Sequence, residues 1–147
     1  MATMKHILDE KGHSFFFVTP DTKVIDALRT LTEKHIGVVL VMDGERLMGI
    51  FSERDFVRLA VKTGSFTPDV RVEEVMTKQV YFVKFETTVD ECMALMIEKR
   101  IRHAPVMDGK MVVGVVSIVD VVRALVAERE SVIHGMEGYI AAWEFPT

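Results

Sequence analysis

Val41-Met42-Asp43-Gly44 recurs as Val106-Met107-Asp108-Gly109, 65 positions further on. Working outward in the same register, Thr22 falls on Thr87, Val24 on Val89, Glu33-Lys34 on Glu98-Lys99 and Ile36 on Ile101. On the other side Gly49 falls on Gly114, Ser52 on Ser117, Asp55 on Asp120 and Val57-Arg58 on Val122-Arg123. No insertion is needed anywhere between Thr22 and Arg58, and most non-identical positions are apolar in both copies. A self-match of this length at one fixed offset is the mark of a repeat architecture.

Each copy has the same grammar. Val24, Ala27, Leu28 and Leu31, like Val89, Cys92, Met93 and Met96, recur at i, i+3, i+4, i+7, the stripe of an amphipathic helix. Thr22 or Thr88 is placed to cap it. An apolar run follows, 38–42 or 104–107, and then Asp-Gly. Asp-Gly between apolar runs predicts a hairpin, with positive φ at both central residues of a type I′ turn. The returning strand spans 47–51 or 111–116, and a second helix starts near Ser52 or Ser117. The apolar stretches 15–18 and 80–83 are expected as leading strands, with Phe15-Phe16-Phe17 a buried one.

The fold class is therefore α/β (α+β), two tandem β-α-β-β-α units. One such unit cannot cover both faces of its sheet, so the two are expected to pack sheet to sheet about a pseudo-two-fold axis. The register assigns residues 1–12 to a lead-in helix, 13–62 to the first repeat and 63–77 to a linker with a short helix. Residues 78–127 form the second repeat and 128–147 a helical extension. In that extension Ile133, Met136, Ile140 and Trp143 stand near helical spacing, as a face for the body or for a second protomer would.

Composition narrows the function. With 49% hydrophobic residues the chain can fill a core, and a net charge of −4 leaves no electrostatic footprint for nucleic acid. The first ten residues are broken by charges, no apolar run approaches a membrane span, and the lone Cys92 excludes an internal disulfide. These features predict a cytoplasmic protein with no membrane partner. Cys92 lies on a core stripe and reads as packing. His6, His13, His35 and His134 show no metal-ligand spacing, so no metal is expected. With no Gly-rich phosphate loop and no activated nucleophile, the sequence does not read as an enzyme.

One motif carries chemistry. Gly49-Ile50-Phe51-Ser52-Glu53-Arg54-Asp55 and Gly114-Val115-Val116-Ser117-Ile118-Val119-Asp120 share Gly-apolar-apolar-Ser-x-x-Asp. Glycine permits a close approach at a strand end, serine sits where free helix N–H groups can meet an anion, and the aspartate can accept from a ribose diol. Ser-x-x-Asp is equally a helix-capping arrangement. The two readings are compatible, and the sequence leaves both open.

Together with Lys99-Arg100-Ile101-Arg102-His103-Ala104-Pro105-Val106 and Val72-Glu73-Glu74-Val75-Met76-Thr77, the doubled motif resembles the CBS (cystathionine β-synthase) domain pair, or Bateman module, over residues 13–126. The resemblance implies a regulatory module, commonly a homodimer, that binds an adenine nucleotide, AMP before ADP, ATP or NAD, with S-adenosylmethionine as an alternative ligand, and signals to an effector protein. A structural dimerisation scaffold without ligand is the alternative. The resemblance further implies two pseudo-equivalent clefts. In one, Asp120 takes the ribose, Ser117 faces ribose or phosphate, Arg102 and His103 meet the phosphate, and Ile36, Gly37, Val38 and Phe16 flank the adenine. In the other, Asp55 and Ser52 take the ribose part, with Ile101, Arg102 and His103 from across the pseudo-dyad, Tyr81 or Phe82 near the base and Arg54 toward a phosphate. The Asp120 cleft is slightly favoured, because its phosphate donors belong to the same repeat.

Overall fold

The i, i+3, i+4, i+7 stripes become helices that bury Val24, Ala27 and Leu31 in one copy and Val89, Cys92 and Met96 in the other, with Leu28 and Met93 partly buried beside them. The structure, a computed structural model, describes residues 2–65 and 69–128. In chain order it contains α1 (Met4–Lys11), β1 (Phe17–Val18), α2 (Val24–Lys34), β2 (Val38–Asp43), β3 (Arg46–Ser52) and α3 (Glu53–Thr63). A 3-10 turn at Val72–Glu74 leads to β4 (Val83–Lys84), α4 (Val89–Lys99), β5 (His103–Asp108), β6 (Met111–Ser117) and α5 (Ile118–Ala127). The expected extension from residue 129 onward, with Ile133, Met136, Ile140 and Trp143, lies outside the described residues.

Each repeat forms one three-stranded sheet, ordered β1-β2-β3 and β4-β5-β6. The leading strand runs parallel to the middle one and the third antiparallel. Val39 and Val41 of β2 point into a core with Val24, Ala27, Leu31 and Phe51. Leu40 and Met42, on the opposite face, are buried as well. In β5, Ala104 and Val106 face the helices while the alternate Pro105 is also buried. Middle strands covered on both faces are what two sheets stacked about a pseudo-dyad require.

Several local expectations are corrected. The hairpin loops are Gly44-Glu45 and Gly109-Lys110, since Asp43 pairs with Arg46 and Asp108 with Met111. Positive φ falls on Gly44 and Gly109 and on neither aspartate, the pattern of a II′ rather than a I′ turn. Both hairpins shift register between the fourth and fifth residue of the middle strand, so Met48 and Val113 are bulged out. Thr22 is not a cap: Lys23 holds the N-cap position of α2, while Thr22 Oγ1 accepts from the Thr19 N–H at 3.1 Å. Thr88 does cap α4, accepting from Glu91 N–H at 3.2 Å. Phe15-Phe16-Phe17 is not a buried strand. Phe16 and Phe17 are about half exposed, because β1 is a two-residue edge strand with a single neighbour.

α2 and α4 end on His35 and Arg100 in the left-handed region, at φ 53° and 54°. The next N–H reaches back to the helix, Ile36 to the Leu31 carbonyl and Ile101 to the Met96 carbonyl, both at 3.1 Å.

The leading segments cross over. α1 precedes the first repeat but packs on the second: Met4 and Leu8 share a core with Val89, Met96, Val116 and Val121. Its backbone joins there too, Met4 N–H donating to the Thr87 carbonyl at 2.9 Å and Val89 N–H to the Ala2 carbonyl at 3.0 Å. The segment preceding the second repeat docks on the first. Val72 lies in that core, Val72 N–H donates to Thr22 O at 2.7 Å, and Thr77 and Ile50 exchange two hydrogen bonds at 2.8 and 2.9 Å.

The shared glycines make room for this exchange. A Cβ on Gly49 would stand 2.8 Å from the Thr77 carbonyl oxygen and 2.7 Å from Met76 Sδ, and one on Gly114 would stand 2.7 Å from Leu8 Cδ2. Backbone cannot move aside as a side-chain end can. Gly49→Ala is therefore expected to cost about 1–3 kcal/mol and Gly114→Ala less, read from the denaturation midpoints of the two variants. Equal losses would mean that α1 holds Leu8 as rigidly as the sheet holds Thr77.

Candidate functional site

Ser52 stands at the junction of β3 and α3, and Ser117 at that of β6 and α5. In both copies the serine N–H donates to the aspartate three residues on, Ser52 to Asp55 Oδ2 and Ser117 to Asp120 Oδ2, each at 2.8 Å. The capping geometry is thus present twice, with Asp120 N–H returning a bond to Ser117 Oγ at 3.2 Å. The capping bonds direct both carboxylates back toward the ends of their strands.

A cavity of about 480 Å³ opens on the Asp55 side. The first repeat supplies Gly37, Val38, Ser52, Arg54 and Asp55, and the second supplies Tyr81, Ile101, Arg102 and His103. Nine of the residues singled out from sequence therefore meet in one space. Ser117, Asp120, Ile36 and Phe16 are not among its lining. The sequence leaned toward the Asp120 side because Arg102 and His103 share its repeat. Both nevertheless line the cavity on the Asp55 side. Phe82 is half exposed and also lies outside the lining, which leaves Tyr81 as the ring at that end.

The lining holds more than the sequence foretold. Arg58, Lys99, Arg100 and Thr77 line the same cavity. Arg58 and Lys99 carried a signal, since both repeat at 65 positions, as Arg123 and Lys34. Lys99 Nζ sits 5.2 Å over the Tyr81 ring, and Lys34 Nζ 5.5 Å over Phe16, so the repeat reproduces a cation–π pair. Thr77 Oγ1 donates to Asp55 Oδ1 at 2.8 Å, a role that only the crossed-over linker could reveal. Lys99, Arg100, Arg102, Arg54 and Arg58 face two carboxylates, Glu53 and Asp55, so the cavity is locally cationic in an acidic chain. A guanidinium-rich wall suits a phosphate, and the buried Asp55 carboxylate suits hydroxyl donors.

The Asp120 carboxylate is engaged differently. Lys11 Nζ, from α1, donates to its Oδ2 at 2.7 Å and to the Val115 carbonyl at 3.0 Å. Burial works to raise the Asp120 pKa, but the bonds from Lys11 and Ser117 outweigh it and hold the carboxyl below its ordinary value. His103 lies between the clefts, its ring 3.1 Å from where a Gly37 Cβ would stand. Burial, then the Lys11 and Arg102 charges, push His103 below the usual histidine value against the pull of Asp120.

Cys92 is fully buried and its thiol is pushed up to about 11 by burial, the behaviour of a packing residue. Among the described residues no group of three or more histidine, cysteine, aspartate or glutamate side chains is arranged to hold a metal ion. No helix among them is long and apolar enough to cross a membrane.

The His103 shift has a signed consequence. The unfolded chain takes up the proton first, so the stability His103 contributes is complete above about pH 6.5 and is lost as pH falls below it. Thermal midpoints measured from pH 7.5 to 5.5 should fall less steeply for His103→Gln than for the parent. Parallel curves would place the charging histidine elsewhere. Asp120 acts in the same direction at lower pH, its contribution present above about 3.8 and lost as pH falls further.

Comparison with known proteins agrees with the repeat. The CBS domain family model matches twice, at residues 5–62 and 72–127. The mitochondrial CBS domain-containing protein CBSX3 of Arabidopsis thaliana is 36% identical, the match covering 94% of this chain and 71% of that protein. A CBS-domain containing protein from Agrobacterium tumefaciens has a crystal structure that superposes with a TM-score of 0.80 at 38% identity, over 84% of this chain and 94% of that one. The structure of CBSX2 in complex with AMP superposes with a TM-score of 0.69 at 30% identity, over 78% and 90% of the two chains. With both repeats matched and the tandem β-α-β-β-α architecture in place, the chain belongs to the CBS-domain family as a pair of CBS domains.

Proposed function

We propose that this CBS pair is a non-catalytic regulatory module whose ligand is an adenine nucleotide, bound in the cavity beside Asp55. The observation that carries the reading is the convergence of Ser52 and Asp55 from one repeat with Tyr81, Arg102 and His103 from the other around about 480 Å³. In this reading Asp55 Oδ1 takes a ribose hydroxyl, sharing that oxygen with Thr77. Tyr81, Ile101 and Val38 give the base apolar contact, and Arg54, Arg102 and His103 receive the phosphate. A neutral His103 can donate one hydrogen bond to a phosphate oxygen, and a bound phosphate favours its protonation. The AMP held by the similar CBSX2 supports the choice of ligand class.

The module is further proposed to work as a cytoplasmic homodimer that passes its state to an effector protein. Val57 and Val61 on α3 and Val119 and Val122 on α5 are exposed apolar side chains available to a second copy.

A thermal-shift panel with AMP, ADP, ATP, NAD and S-adenosylmethionine tests the reading. A ligand at 100 times its dissociation constant adds about 2.7 kcal/mol, a midpoint rise of roughly 5–10 °C for a chain of this size. The rise should vanish in Asp55→Ala and persist in Asp120→Ala. A flat panel on the folded protein would leave Ser-x-x-Asp as a pair of helix caps in a dimerisation scaffold.

A further inference from the structure

The two pseudo-equivalent clefts are closed over their carboxylates by different chemistry. On the first repeat, Thr77 covers the motif: its hydroxyl donates to Asp55 Oδ1 at 2.8 Å and its N–H donates to the Ile50 carbonyl at 2.8 Å. On the second repeat, Lys11 makes both corresponding contacts through one ammonium, to Asp120 Oδ2 at 2.7 Å and to the Val115 carbonyl at 3.0 Å. Ile50 and Val115 are the same position of the repeat, as are Asp55 and Asp120. A neutral hydroxyl therefore stands in one cleft where a cation stands in the other.

This difference decides what each carboxylate can still do. Asp55 has no comparable ion pair among the described residues: the Arg58 guanidinium stands 4.0 Å away and mostly in solvent. Asp120 is paired at 2.7 Å, and its side chain is only 14% exposed, so the ion pair is partly withdrawn from water. A charge-assisted bond of that length is stronger than the neutral hydroxyl donation a sugar offers. Displacing the ammonium would also leave a mostly buried charge without its partner. The two copies differ in basic residues as well. Val119 stands where the first repeat has Arg54, and Gly37 and Val38 stand where the second repeat has Arg102 and His103.

We propose that Lys11 is a built-in occupant of the Asp120 cleft and holds the chain to one nucleotide, on the Asp55 side. The stoichiometry rests on the nucleotide reading above, while the lock itself does not. Lys11 comes from α1, the segment crossed over from the other repeat, so a residue outside both copies of the motif makes two near-identical sites unequal.

Two measurements on the full chain test it. Calorimetric titration with AMP, and separately with ATP, should give about one site per chain for the parent protein. Lys11→Met, which keeps the aliphatic stem and removes the charge, should give about two. The added site should disappear in Lys11→Met with Asp120→Ala, and Lys11→Gln should repeat the gain if the charge is its cause. Two sites in the parent, or one in both Lys11 variants, overturns the proposal. Separately, the Asp120 carboxyl carbon is followed by NMR against pH. Its midpoint should move upward in Lys11→Met, and an unmoved midpoint sinks the lock whatever the nucleotide does. Absence of binding in every variant, with the carboxyl midpoint shifted, overturns the nucleotide reading and the stoichiometry together and leaves the lock standing.

Discussion

The bare backbone at Gly49 and Gly114 lets Thr77 and Leu8 lie where any other residue would place a Cβ, and the rest of the architecture follows from that approach. Through it, each sheet receives the segment that precedes the other repeat, and neither half owns its core. Leu8 fills a core otherwise built from the second repeat, and Val72 one built from the first. Burial of these side chains supplies the usual hydrophobic gain, of the order of 1.5–3 kcal/mol apiece. The coupling it creates is long in sequence, so the repeats stand or fall as one unit although each has the topology of a small independent fold.

The same crossing writes the asymmetry of the clefts. A pure duplication would give two equal sites, since Ser-x-x-Asp, its strand and its helix are repeated without a gap. Besides substitutions within the copies, such as Val119 for Arg54, part of the difference is imported: a threonine over Asp55, a lysine over Asp120. The electrostatic result extends to His103, which lines the cavity under Asp55 yet feels the Lys11 and Asp120 charges on the far side. The ring therefore lines one cleft while it responds to charges at the other.

The repeat, the strand and helix order and most of the cavity were legible because they follow from periodicity and from a motif with a fixed spacing. Nine site residues read from that motif and its flanks meet in one space. What stayed hidden depends on the path of the chain in three dimensions. The sequence places a lead-in helix at residues 1–12, but not against which repeat its Leu8 is buried. Nothing in Thr77 marks it as a partner of Asp55. The turn differs from the sequence reading because Asp43 and Asp108 remain paired at the strand ends, which leaves Gly44 and Gly109 to open the two-residue loops. Phe15-Phe16-Phe17 is apolar enough for a core, yet a two-residue edge strand cannot cover it. Sequence proximity favours the Asp120 cleft for Arg102 and His103, whereas the cavity that they line opens beside Asp55, a relation set by how the two repeats pack and not by their order in the chain.

The left-handed helix ends at His35 and Arg100 carry a further meaning. A side chain in that region costs roughly 1–2 kcal/mol that glycine would not incur. Two of the chain's other helices, α1 and α3, do end on glycines at positive φ. At residue 100 the side chain is a guanidinium on the cavity wall. Conformational ease and a charged lining are thus opposed at a single position, and the chain has kept the charge. Selection acting on stability alone would drift this site toward glycine, so its composition among related chains becomes a gauge of how strongly the cavity's cations are needed.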